Sequence, residues 1–188
     1  MTTVDDLWYL ADGARQQAEQ TYHRLAGRAD LEVELHKQVS RERFRTVATR
    51  IEDNGAPYGA HTLVTRPRNG GLELLLVRHA GVGMWVLPGG ETRPDENFRE
   101  GAERELQEEA GIAAEYRGLG ILGRVRFRCG DHATWGVLPV FEATPRDGDV
   151  TAEDPDGEIS DAGWFPFGDL PADTRDREQL LEWRDCRE

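Results

Sequence analysis

Residues 85–112 read WVLPGGETRPDENFREGAERELQEEAGI, and both ends of a helix are written inside them. Asn97 is an N-cap residue, Glu100 falls at the third helical position to complete a capping box, and Gly111 stands where a left-handed stop residue is wanted. The spacing therefore predicts a helix over 98–110. At about 100° per residue, with Glu105 set to zero, Glu108 falls near about 300° and Glu109 near about 40°, so the three carboxylates share one sector. Ala102, Leu106 and Ala110 occupy the neighbouring sector, which sets the acids at the edge of an apolar stripe.

Carboxylates at i, i+3 and i+4 repel by about 0.2–0.5 kcal/mol per exposed pair, and by more when partly buried. Arg104 relieves this through its i, i+4 link to Glu108. A solvated acidic face is one account of the cluster. The other is a divalent cation: several carboxylate oxygens suit a hard ion such as Mg²⁺. The Pro88-Gly89-Gly90 turn gives a backbone that approaches a ligand closely, and the Gly89 carbonyl is a candidate further ligand.

Composition sharpens the choice. The 188 residues carry 23 Lys plus Arg against 36 Asp plus Glu, a formal net charge of −13. Such a chain is a poor partner for nucleic acid, which is bound through clustered cations. It would also repel a polyphosphate unless metal ions neutralised the site. Lys37 is the only lysine, and surplus acid with scarce lysine suggests a salt-adapted, halophilic source; an arginine codon bias explains the second feature without the first. Cys129 and Cys186 form no CxxC pair and are expected to be buried thiols. The N-terminus has no signal-peptide pattern and no stretch is long enough to span a membrane, so a cytoplasmic protein is expected.

Outward from the central helix, residues 1–55 read as a helical extension. Leu7, Leu10, Ala11, Ala14, Ala18, Tyr22 and Leu25 form one stripe; Trp8 and Tyr9 read as core residues, with an anchor for packing against a second surface as the alternative. Phe44, Val47, Ala48 and Ile51 form a second stripe, begun by Ser40 and stopped by Asn54-Gly55. Residues 61–64 and 72–77 read as a hairpin with Asn69-Gly70 at its tip. Residues 119–127 and 134–143 form another around Cys129-Gly130-Asp131. Residues 146–158 are too polar for a core and read as a mobile acidic loop, and a short helix with Leu180, Leu181 and Trp183 ends the chain. Strands and helices mix without strict alternation, which favours a mixed sheet over a doubly wound parallel one.

Gly90, Glu96 and the run Arg104-Glu105-Leu106-Gln107-Glu108-Glu109-Ala110-Gly111-Ile112 resemble a complete Nudix box, in which nine positions are set over 23 residues. A looser resemblance covers 56–188 and leaves 1–55 outside. It implies an α/β fold, the Nudix α/β/α sandwich with a mixed β-sheet, here with the N-terminal helical extension. The implied activity is that of MutT-like and ADP-ribose pyrophosphatase-like enzymes: hydrolysis of a nucleoside diphosphate linked to another moiety, with Mg²⁺ or Mn²⁺. Glu105, Glu108 and Glu109 would be metal ligands, with Glu108 or Glu105 near the attacking water. Arg104 would orient a box glutamate, Glu96 would support the ligand shell, and Gly90 and Gly111 would be structural. A later loop supplies a further base or ligand in several members; Glu158 is the candidate and Glu153 the second, each equally readable as a solvated loop acid.

Substrate markers are weaker. The proline of many ADP-ribose-cleaving relatives, about sixteen residues past the last box glycine, is Phe127 here. The patterns of coenzyme A-cleaving and NADH-cleaving relatives are absent as well. ADP-ribose and a nucleoside triphosphate, oxidised or not, stand as expected small-molecule partners. Trp85, Phe127 and Trp135 fit the core better than base stacking, and His61, His79 and His132 are scattered at strand ends. A nucleotide-sensing module signalling through the N-terminal helices is the alternative function, and a homodimer through those helices is the expected assembly.

Overall fold

A computed structural model describes residues 6–152 and 154–187. The chain divides into two compact units, 1–58 with 121–139, and 59–120 with 140–188.

The first unit holds α1 (Asp6–Leu25), β1 (Leu31–Gln38) and α2 (Arg41–Asn54), together with the tip of a long hairpin made by β6 (Ala114–Cys129) and β7 (His132–Pro145). Leu7, Ala11, Ala14 and Ala18 of α1 are fully or almost fully buried, as are Phe44, Val47, Ala48 and Ile51 of α2. The two stripes read from the sequence thus face inward. The Ser40 hydroxyl accepts the Arg43 N–H, and Gly55 ends α2 at φ 91°.

Three expectations fail here. Residues 31–38 are a strand within the supposed helical extension, paired in parallel with β6 from Leu31↔Ile121 to Gln38↔Arg128. LEVELHKQ alternates with period two, half-buried then exposed, the signature of a strand with one covered face. Trp8 and Tyr9 are 57% and 60% exposed, because the buried stripe of α1 runs through small residues one step away. Cys186 is exposed just beyond the last helix, and Cys129 is half-buried.

The second unit is a mixed sheet. β2 (Ala60–Arg68) pairs antiparallel with β3 (Gly71–His79) and parallel with β7, from His61↔Val140 to Val64↔Ala143. The pairing Arg68↔Gly71 leaves Asn69-Gly70 as the two-residue turn. β3 also pairs antiparallel with β4 (Met84–Val86) and β8 (Ile159–Pro166), and β5 (Gly89–Gly90) pairs antiparallel with β2. α3 (Phe98–Ala110) packs on β2 and β5, and α4 (Arg177–Asp185) buries Leu180 and Trp183. Mixed pairing and helices together make an α/β fold. Among the described residues no helix is long and apolar enough to cross a membrane.

Phe44→Ala should lower stability by about 3–5 kcal/mol, because its ring is fully buried. Trp8→Ala should change it by less than about 0.5 kcal/mol. Urea unfolding midpoints of the two variants check both.

Candidate active site

Helix α3 begins as its sequence predicts. The Asn97 side chain accepts the Glu100 N–H at 3.0 Å, Glu100 accepts the Asn97 N–H at 2.9 Å, and Gly111 closes the helix at φ 64°. Ala102, Leu106 and Ala110 are fully buried, and the last two pack among Val64, Leu75, Val77, Ala143 and Ile159. That anchoring fixes the rotation of the helix and hence the direction of its acids. Glu109 is drawn in with the stripe at 7% exposure, while Glu105 and Glu108 sit half-covered.

Arg104 holds the cluster together. Its Nε and Nη2 donate to the two oxygens of Glu96 at 2.7 and 3.0 Å, its Nη1 to Glu105 at 2.7 Å and Glu108 at 3.0 Å, and its Nη2 to the Glu91 carbonyl at 2.9 Å. Glu96 accepts a further bond from the Arg93 N–H, and the Arg93 side chain reaches Glu108 at 3.4 Å. The Arg104 bonds, then the Arg93 amide, hold the Glu96 carboxyl down to about 2 against the opposing effect of burial. Glu109 is the reverse case. Burial pushes it up to about 8, opposed by the Gly89 N–H that donates to its Oε2 at 2.9 Å and reinforced by Glu105, Asp154 and Glu158. Glu105 is also raised, mainly by burial, with Arg104 working against the shift and Glu108 and Asp156 adding to it.

The loop glycines allow this approach. A Cβ on Gly90 would lie 3.0 Å from the Glu105 carboxyl. Gly89 has φ 154°, and a Cβ there would sit 2.5 Å from the Ala60 carbonyl. Gly89 meets the helix through its N–H, so the structure ties it to Glu109 directly.

The acidic loop supplies residues that sequence reading missed. Asp154 organises it by accepting the N–H groups of Asp156, Glu158 and Ile159 at 3.2, 2.5 and 2.8 Å, and its charge, with those of Asp156 and Glu158, acts on the helix acids. The Asp154-Pro155-Asp156-Gly157 run is a turn signature that could have found it. Glu158 lies 3.4 Å from His79 Nε2. Glu153 lies outside the described residues. His61 Nδ1 is buried without a hydrogen-bond partner, and burial lowers that imidazole to about 4.

As placed, no three His, Cys, Asp or Glu side chains among the described residues converge on one point that could hold an ion. Arg104 takes up Glu105 and Glu108 instead. The donor set still fits a hard cation: it is all carboxylate and backbone oxygen, two of its members resist ionising together, and the three helix acids stand within one turn, so side-chain torsions suffice to bring them together.

The NUDIX domain family model matches residues 57–184. The chain belongs to the NUDIX family. It is 36% identical over 112 residues to the 8-oxo-dGDP phosphatase NUDT18 of Mus musculus, covering 57% of this chain and 32% of that one. It is 37% identical over 81 residues to a putative 8-oxo-dGTP diphosphatase of Bacillus subtilis, covering 43% and 54%. The chain thus spans about a third to a half of these relatives. Among solved structures, a MutT NUDIX hydrolase from Burkholderia pseudomallei matches at TM-score 0.50 with 26% identity, over 66% of this chain and 95% of that one. The NUDIX domain of Shewanella oneidensis NrtR, solved with ADP ribose, matches in fold at TM-score 0.52 with 22% identity, over 68% and 85%.

Between about pH 4.5 and 8 the folded chain binds a proton at Glu109 that the unfolded chain has released, so with metal chelated, stability should fall as pH rises through that window. Glu105 adds a slope of the same sign. Glu109→Gln should flatten the fall by at least about 1.4 kcal/mol, the worth of one pKa unit. Urea midpoints at the two ends of the window, in chelator, measure it.

Proposed function

We propose that this NUDIX chain is a Mg²⁺- or Mn²⁺-dependent hydrolase of the phosphoric anhydride bond in a nucleotide. The observation that carries the reading is the arginine fork on Glu96, Glu105 and Glu108 beside a buried Glu109, whose carboxyl also feels the charges of the loop acids Asp154 and Glu158. A cluster so rich in negative charge is costly in itself and is useful where a cation must be held.

Glu105, Glu108 and Glu109 would hold the cation, with the Gly89 carbonyl and Glu158 as further ligands. When bound, the ion supplies positive charge to the phosphates and acidifies water. The chain's own residues do the rest. Arg104 bonds Glu105 and Glu108 and turns them to one side, and Glu96 keeps Arg104 in place with two bonds. Glu108 or Glu105 takes the proton from the attacking water. Gly89 and Gly90 bring the loop backbone against the helix so that a diphosphate can reach the carboxylates.

Among substrates, an oxidised guanine deoxynucleoside di- or triphosphate is favoured by the names of the two relatives above 35% identity. ADP-ribose and unmodified nucleoside triphosphates follow.

Glu108→Gln and Glu109→Gln should each lower Mg²⁺-dependent hydrolysis, read by chromatography of the mononucleotide product, by about 10² or more, with circular dichroism unchanged. The panel is 8-oxo-dGDP, 8-oxo-dGTP, ADP-ribose and the nucleoside triphosphates. Near-wild-type rates in both folded variants would sink the assignment. Saturable binding of one nucleotide with no hydrolysis of any would point instead to a sensor.

A further inference from the structure

Resting on the proposed role of Glu158 as a cation ligand, we propose that His79 is the positioning residue for that ligand: its Nε2–H holds the Glu158 carboxylate in the orientation from which it joins the cation. Both residues belong to the second unit. Glu158 stands close enough to the helix acids for its charge to push Glu109 up. It comes from a loop, however, and a loop carboxylate serves a metal site only if something fixes its direction.

The backbone of Glu158 is held from two sides. Its N–H donates to Asp154 Oδ2 at 2.5 Å, and its carbonyl accepts the Ala80 N–H at 2.7 Å, which ties the loop to the end of β3. Its side chain is mostly exposed, and among the described residues the one basic group that reaches it is His79 Nε2, 3.4 Å from Oε2. His79 is itself fixed. It pairs with Met84 of β4 and with Ile159 of β8, and the Gly81 backbone lies so close to the ring that a Cβ there would sit 3.3 Å from Cε1.

The ring also offers a defined donor. His79 Nδ1 is buried with no hydrogen-bond partner. A proton there would be an orphaned buried donor, a rarer feature of folded chains than an orphaned acceptor, so Nε2 carries the proton and faces Glu158. The bond takes Oε2 and leaves Oε1 to a cation. A glutamate already turned in this way gives up less rotamer freedom when it binds. Carboxylate ligands are commonly held by such an outer hydrogen bond, and loss of the partner costs about 10- to 100-fold in metal affinity. His79 thus acts through Glu158 and not on the substrate.

Mn²⁺ alone is the probe, titrated into the full chain without nucleotide and read by the electron paramagnetic resonance of the free ion. The second unit has 12 basic and 25 acidic side chains against 11 and 11 in the first, so loosely held cations are expected around it. About 0.3 M KCl screens them while the tightest site is followed. His79→Leu should weaken that site about tenfold, and Glu158→Gln should weaken it as much. The double variant should be no weaker than Glu158→Gln alone, because both changes remove one interaction. His79→Gln, whose amide N–H reaches the same place, should stay within about twofold of wild type. Urea midpoints show which variants fold, and His79→Met replaces His79→Leu where the latter does not. Unchanged Mn²⁺ affinity in the folded apolar variant overturns the proposal, as do additive losses in the double variant or a His79→Gln as weak as His79→Leu. Unchanged affinity in Glu158→Gln beside a loss in Glu109→Gln would remove Glu158 from the site, and His79 with it, while leaving the hydrolase reading in place. Unchanged affinity in Glu105→Gln, Glu108→Gln and Glu109→Gln alike would overturn that reading itself.

Discussion

One guanidinium governs the site. Arg104 stands among four acidic side chains within a single turn and its preceding loop, and it bonds three of them together with one backbone carbonyl. Without it, Glu105 and Glu108 would face each other one turn apart in a setting too covered for water to screen them. A lysine could neutralise one unit of charge but could not meet Glu96 with two parallel bonds while reaching two more carboxylates. The fork does not bond Glu109. The site therefore sets an Arg-bonded loop carboxylate, Glu96, that ionises very readily beside a buried helix carboxylate, Glu109, that resists ionising. Environments that push two like groups apart in this way are what acid–base and metal chemistry use.

The surplus of acid has a place as well as a size. All of the net −13 lies in the second unit, which also holds the clustered carboxylates. Composition alone treated the surplus as a property of the whole surface, one that disfavours nucleic acid and repels a polyphosphate unless cations intervene. Its location makes it a field around the site, one that draws cations toward the carboxylates and holds nucleotide phosphates off until cations are present.

How much of this was legible follows from how local each feature is. Helix α3 was readable to the residue, because its cap, its stop and its stripe are all short-range and agree. Helix α2 and both hairpin tips were readable for the same reason. Strand β1 was passed over because stripes at helical spacing flank it on both sides, although its own alternation is strict; its partner, β6, lies about ninety residues later in the chain. Trp8 and Tyr9 misled because aromatic size suggests burial, whereas the small residues of α1 form its close-packed side. At the site, the Arg104–Glu108 link could be read from spacing, while the place of Glu96 was implied by the Nudix resemblance. Asp154 and Asp156 could not be placed, since their relation to the helix depends on where a loop returns after β7.

Gly89 and Gly90 show why spacing and chemistry are one constraint here. β5 pairs with the start of β2, Ala60↔Gly90 and His61↔Gly89, which pins the loop to the sheet. The apolar stripe of α3 pins the helix to the strands of the same unit. With both ends held, the distance between loop and helix is set by the side chains allowed between them, and a Cβ at Gly90 would crowd the Glu105 carboxyl at 3.0 Å. Closing that gap lets the Gly89 N–H reach Glu109, the one bond that offsets the cost of burying that carboxylate. The glycine thus belongs to the electrostatics of the site as much as to its shape: replacing Gly90 would push Glu105 away from the loop and lengthen or break the bond that lets Glu109 sit where it does.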